Sequence, residues 1–189
     1  MSNRSYFKKK LRSEYLKKRT QVSKRHKNKW DLSIFNRLIT LKSYIDAKTV
    51  HVYISNSEKN EVDTFQLIHH AHLNEKKVVV PKVVGDGLLK HFEIKSTEDL
   101  KSNRWGIPEP RDGEEVKVRD LDLIIVPMVS GDRNRNRLGY GKGFYDRFLA
   151  ESNAFKIGLL YELQLHPEDL PSETFDIPLD LLLTESEQI

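Results

Sequence analysis

The stretch that constrains the fold most is an apolar run, Leu121 to Met128 (LDLIIVPM), followed by a polar loop (VSGDRNRN) and then NRLGYGKGFYDRFL, residues 136–149. This succession predicts a buried strand, a loop, a glycine turn and a helix. Gly139, Gly141 and Gly143 alternate with Tyr140 and Lys142, which frees three positions of Cβ within five residues. Such a segment can take φ > 0 and turn successive N–H groups toward one point. A helix over FYDRFL would add the unpaired N–H donors of its first turn and the positive end of its dipole. Lys142, Arg137 and Arg147 place positive charge around the same point. Two readings stand: an anion seat suited to a phosphate chain, and a tight strand-to-helix corner. The stretch is neither GxGxxG nor GxxxxGK[ST], so neither standard nucleotide motif applies.

The rest of the chain predicts an alternation of helices and strands. A helix starts at Ser5, with Phe7, Leu11 and Tyr15 at i, i+4, i+8 as its buried face. Lys8 and Arg12 share another stripe, either converging on one anion or forming a solvated basic face. Ser23 caps a second helix reaching about Ser43, with Trp30, Ile34, Leu38 and Leu41 at helical spacing and Trp30 in the core. Residues 49–55 (TVHVYIS) alternate as a strand, and Asp63 caps a helix over 64–74. His69, His70 and His72 lie on that helix without a third ligand of matching geometry, so they read as helix surface. KVVVP (77–81) is a buried strand, and LLKHFEIK beyond Gly87 is a strand pairing antiparallel at the sheet edge. Residues 95–120 read as a long loop held extended by its prolines. FKIGLLY (155–161) is a further strand, and the tail ends in a last apolar run. The expected fold is α/β: one domain over residues 1–189, three-layered and doubly wound, with a mostly parallel sheet and helices on both faces.

Composition narrows the function. The 189 residues contain no cysteine, which removes disulfides, thiolate catalysis and Cys-based zinc sites. No apolar run approaches the ~18 residues of a membrane span, and the N-terminus has no apolar secretory core. A cytoplasmic protein without a membrane partner is therefore expected. Residues 1–30 carry twelve Lys and Arg against Glu14 alone, which leaves the remainder acidic although the net charge is +4. No aromatic interleaving or nucleic-acid motif accompanies that basic arm, so no nucleic acid is expected.

RLGYGKGFYDRFL, together with NEVDT, WGIPEP and the N-terminal KKKLR, resembles the 5-formyltetrahydrofolate cyclo-ligase (5,10-methenyltetrahydrofolate synthetase) family. The match runs over nearly the whole chain in order. The resemblance implies an enzyme that uses ATP and Mg²⁺ to close 5-formyltetrahydrofolate to 5,10-methenyltetrahydrofolate, with Lys142, Arg137 and Tyr145 at the reacting groups; a monomer is expected, although the sequence itself is silent on oligomeric state. ATP contacts are implied for Lys8, Lys9, Lys10, Leu11, Arg12 and the run Arg137, Leu138, Gly139, Tyr140, Gly141, Lys142, Gly143, Phe144 and Tyr145. Folate contacts are implied for Arg12, Ile54, Glu61, Trp105, Tyr140 and Phe144, and magnesium ligation for Asp146 and Asp176. Met128 and Gly131 stand where the family carries Gly and Phe, a departure that widens the cleft or shifts its loop.

Overall fold

A computed structural model of the chain describes residues 3–85, 87–102, 108–111 and 113–189. In chain order, helices α1 (Asn3–Thr20), α2 (Lys24–Leu38) and α3 (Lys42–Asp46) precede strand β1 (Thr49–His51). Then come α4 (Phe65–Leu73), β2 (Lys77–Val84), β3 (Leu88–Ile94), β4 (Leu100–Ser102) and β5 (Pro108–Pro110). β6 (Leu123–Pro127), β7 (Ser130–Gly131), β8 (Arg137–Leu138), α5 (Phe144–Ala150), β9 (Phe155–Leu159) and β10 (Leu181–Leu183) complete the chain.

Six strands form one sheet in the order β10-β9-β6-β1-β2-β3. All neighbours are parallel except the edge pair β2 and β3, which run antiparallel as their hairpin requires. The apolar strands alternate sides. Val50, Val78, Val80, Leu123, Ile125 and Ile157 pack with Ile34 and Leu38 of α2, Tyr44 of α3 and Ile68 of α4. Val79, Ile124, Val126 and Leu182 pack on the other side with Phe148 and Leu149 of α5. The result is the three-layer α/β arrangement expected from a sheet whose central strands are apolar on both faces. Each of these fully buried Val, Leu or Ile side chains contributes roughly 1.5–3 kcal/mol.

The chain leaves β1 toward β2 on one side and returns to β6 on the other, so strand order reverses between β1 and β6. Loops diverge there at the carboxyl ends and open a crevice. α1 lies across those ends, seating Leu11 and Tyr15 against Val129, Leu138 and Leu170.

Several local expectations are corrected. Ser5 lies inside α1 rather than before it, and Phe7 is exposed. The helix expected to reach Ser43 stops at Leu38 and resumes as α3 after a turn whose Leu41 N–H donates to Leu38 O at 3.1 Å. The strand expected to reach Ser55 ends at His51, and beyond it the Val52 N–H still reaches Val79 O at 2.8 Å. α4 follows Thr64, while the Asp63 carboxylate accepts from the Phe65 N–H at 3.2 Å. The loop of 95–120 contains an antiparallel pair, β4 with β5, that apolar periodicity does not reveal. By contrast, Ser23 caps α2 as expected, its hydroxyl accepting from the His26 N–H at 3.3 Å.

Beneath α5 the sheet carries a buried histidine pair. His51 Nε2 lies 3.1 Å from His91 Nδ1, and both rings pack on Phe148. Burial lowers the His91 pKa to about 4 and holds that of His51 well below the ordinary value, reinforced by His91. Glu115 opposes the shift at His91. A histidine kept neutral in the fold but free to protonate in the unfolded chain stabilises the fold fully above the unfolded pKa near 6.5. That contribution is lost as pH falls through the window from about 6.5 to about 4. Chemical denaturation from pH 7 to pH 4 is expected to show a loss larger by on the order of 3 kcal/mol in the wild type than in His91→Gln, where the buried His51 alone remains. Parallel pH profiles for the two proteins would contradict the assignment.

Candidate active site

The glycine stretch is launched by a small hairpin. β7 and β8 pair antiparallel, and the polar loop between them winds around Asp132. The buried Asp132 carboxylate accepts from the N–H groups of Asn134 and Asn136 at 2.9 Å and of Leu170 at 2.7 Å. Past β8 the backbone turns with φ of +86° at Gly141 and +68° at Gly143, conformations that suit glycine. Gly139 keeps ordinary φ, with nothing near its would-be Cβ. Among the described residues, no protein acceptor takes the N–H groups of 139–143. They stand at a cavity of about 150 Å³ that all five residues line.

Cations and carboxylates alternate around that cavity. Arg12 crosses from α1, donating from Nε to Gly139 O at 2.8 Å. Lys8, one turn earlier, donates to Asp176 Oδ2 at 2.8 Å. The spacing that left convergence and a solvated face open thus converges. The buried Arg137 guanidinium pairs with Asp146 Oδ1 and donates to the Ile177 carbonyl. Lys142 has no described ion-pair or hydrogen-bond partner for its ammonium group, and it is exposed.

A second cavity of about 810 Å³ adjoins the first and shares Pro127, Tyr140, Lys142, Phe144 and Tyr145 with it. The smaller volume is below the range of about 300–1,000 Å³ that holds whole organic ligands, and the larger is within it. Ile54 and Glu61 line the larger cavity from the loop after β1. The Asn56 N–H donates to Glu61 Oε2 at 2.7 Å, and the Tyr140 hydroxyl donates to Glu61 Oε1. The loop closes on itself, with Tyr53 Oη donating to Val62 O at 3.0 Å and Thr64 Oγ1 to Tyr53 O at 2.7 Å.

Three expected contacts lie elsewhere. Lys9 and Lys10 are exposed and line neither cavity, because adjacent helical positions point about 100° apart. Leu11 is buried in the core under α1. Trp105 falls outside the described residues. Tyr145 presents its ring to both cavities, but its hydroxyl is buried without a protein partner, and that burial raises its pKa. Gly131 does not widen the cleft, since a Cβ there would meet Leu182 at 3.0 Å within the core. His70 Nδ1 bonds the Tyr44 hydroxyl at 2.8 Å and His72 Nε2 the Ile94 carbonyl at 2.9 Å, so these two are half-buried structural groups.

Asp146 and Asp176 both line the small cavity, each with one oxygen in an ion pair. Their other oxygens, Asp146 Oδ2 and Asp176 Oδ1, have no described partner. Among the described residues, no group of three or more His, Asp or Glu is arranged to hold a metal ion by itself. Two free hard oxygens on one cavity nevertheless fit Mg²⁺, which keeps several waters and takes phosphate oxygens alongside one or two carboxylates.

Fold and site together define an α/β protein with a cavity lined by amides and cations beside a larger, partly aromatic cleft at its topological switch point. The profile of the 5-formyltetrahydrofolate cyclo-ligase family matches residues 4–185, and the chain belongs to that family of ligases. A probable 5-formyltetrahydrofolate cyclo-ligase of Schizosaccharomyces pombe is 35% identical over 175 residues, covering 84% of this chain and 85% of the relative. The solution structure of Aquifex aeolicus 5,10-methenyltetrahydrofolate synthetase superposes with a TM-score of 0.86 at 35% identity, covering 96% and 91% of the two chains. The corresponding synthetase of Mycoplasma pneumoniae gives 0.78 at 26% identity, covering 94% and 98%.

Residue-by-residue reading passed over Arg19 and Asp132, both buried and bonded to several segments. For Arg19 a signal existed, since it continues the Leu11 and Tyr15 stripe by four residues. The glycine turn yields its own test. A Cβ on Gly141 would fall 3.0 Å from Arg12 Cζ in a left-handed conformation, so Gly141→Ala is expected to lower the unfolding free energy by about 1–2 kcal/mol. Gly139→Ala should change it by less than about 0.5 kcal/mol. Equal effects in denaturant titrations would show that the turn is not built this way.

Proposed function

We propose that this chain catalyses the ATP-dependent cyclisation of 5-formyltetrahydrofolate to 5,10-methenyltetrahydrofolate, releasing ADP and phosphate. The observation carrying this reading is Lys142, a cation without a described partner on the wall shared by an anion-sized cavity and an organic-ligand-sized one. The chemical difficulty is the formyl oxygen, a poor leaving group. In the proposed sequence that oxygen attacks the γ-phosphorus, the bond to ADP breaks, and an iminium phosphate forms. N10 then attacks the formyl carbon, the carbon–oxygen bond breaks with its electron pair leaving on phosphate, and N10 gives up its proton.

Such a transfer asks the protein mainly for positioning and charge compensation. The free amides of 139–143 suit the phosphate chain, and Arg12 and Lys142 offset its charge. Lys8 and Arg137 contribute less directly, because they hold Asp176 and Asp146 in place. Those aspartates would hold Mg²⁺, which when bound neutralises the phosphate oxygens and aligns them. In the neighbouring cleft Ile54, Phe144 and the rings of Tyr140 and Tyr145 supply walls for a pterin, and Glu61 supplies its polar contact. The Tyr145 hydroxyl is assigned no proton transfer, given its burial. One sheet drawing strands from residues 49–183 supports reading the chain as a single domain, and we place it in the cytoplasm as a monomer.

Purified protein given 5-formyltetrahydrofolate, Mg²⁺ and ATP should accumulate the methenyl chromophore with matching ADP. Absence of both would overturn the proposal. Lys142→Ala is expected to raise the KM for ATP and lower kcat by about 10²-fold together, on the scale of one lost transition-state contact, with formyl folate binding nearly unchanged. Equal loss of both ligands with the fold intact would refute the role of Lys142.

A further inference from the structure

We propose that Arg19 is a positioning residue for this site: through the Tyr140 hydroxyl it fixes how Glu61 presents its carboxylate to the larger cavity. The inference rests on the proposed folate reading of that cavity and deepens it.

Arg19 is only 2% exposed and is among the largest fully buried side chains of the described residues. Its Nε donates to Lys59 O at 2.8 Å, its Nη1 to Met128 O at 3.1 Å and its Nη2 to Tyr140 Oη at 2.7 Å. One guanidinium therefore ties together the loop after β1, the end of β6 and the glycine turn. Among the described residues its ion-pair partner is Glu61, at 3.9 Å, beyond hydrogen-bond reach and bridged by the Tyr140 hydroxyl. Burying a guanidinium whose counter-ion is not in direct hydrogen-bond contact is unfavourable, and where packing alone mattered an apolar side chain of similar volume would serve. The position therefore needs another explanation.

Hydrogen-bond direction supplies one. Arginine can only donate, so the Tyr140 oxygen must accept from Nη2, and its single proton is left for Glu61. The chain Arg19 to Tyr140 to Glu61 can run one way only. With Oε1 held by Tyr140 and Oε2 by the Asn56 N–H, each Glu61 oxygen retains acceptor capacity, and Glu61 lines the larger cavity. Two acceptors side by side match a planar donor–donor edge, a ring N–H beside an exocyclic amino group. Arg19 touches no part of that edge and acts through Tyr140. The same link fastens the turn lining the anion cavity to the wall of the folate cleft.

Tyr140→Phe removes the link without changing the ring. Formyl folate KM and its calorimetric Kd are expected to rise about tenfold, the effect of losing one charge-assisted hydrogen bond. The kcat and the KM for ATP should stay within about threefold, and Tm within about 3 °C. Arg19→Lys should show the same pattern, and the double variant should be no worse than the more impaired single, because both act on one chain of contacts. Should Arg19→Lys not fold, Arg19→Gln replaces it, and should that fail too, Tyr140→Phe decides alone, since the link runs through its hydroxyl. Unchanged formyl folate affinity in Tyr140→Phe, or effects that multiply in the double variant, would overturn the inference. A wild type that binds formyl folate without turnover would count against the proposed reaction and leave this test readable by calorimetry. A wild type that does not bind it would overturn both.

Discussion

The parallel pairing of β1 with β6, Val50 opposite Leu123 and His51 opposite Ile124, is the constraint on which everything else depends. These strands are neighbours in space yet separated in sequence by α4, β2, β3 and the β4–β5 pair. Their carboxyl ends point the same way, so the loop bearing Glu61 and the turn bearing Lys142 emerge side by side. The register is enforced from both faces, since a slip of one residue would move Ile124 from the side of α5 to that of α2 and α4.

Electrostatics then divides the crevice into two. In the small cavity, cations are partly neutralised by carboxylates, Lys8 by Asp176 and Arg137 by Asp146, which limits repulsion before any anion arrives. Lys142 is left uncompensated among the described residues, where the two cavities meet. In the proposed phosphoryl transfer, a free cation at that border would offset the charge that develops between the two ligands.

Much of this was legible in the sequence because it is written in local patterns. Apolar runs marked β2, β6 and β9, and β10 was seen as a last apolar run. The Ser23 cap marked α2, and a turn before an alternating segment marked the antiparallel edge. The glycine turn was visible because Gly141 and Gly143 stand where positive φ is required. What stayed hidden depends on contacts distant in the chain. Arg19 looked like one of twelve cations in a basic arm, and only its tertiary partners at Lys59, Met128 and Tyr140 set it apart. Lys9 and Lys10 looked equivalent to Lys8, yet only Lys8 faces Asp176. The β4–β5 pair has no apolar alternation to announce it, and Gly131, suspected of widening the cleft, belongs to the core.

The central claim is that the two cavities bring a nucleotide's terminal phosphoryl group to the formyl oxygen. The most direct measurement follows that oxygen: 5-formyltetrahydrofolate carrying a heavy-oxygen label in its formyl group is turned over with ATP, and the released phosphate is analysed by mass spectrometry. The account predicts one labelled oxygen in each phosphate formed. Label recovered in water, with unlabelled phosphate, would contradict it.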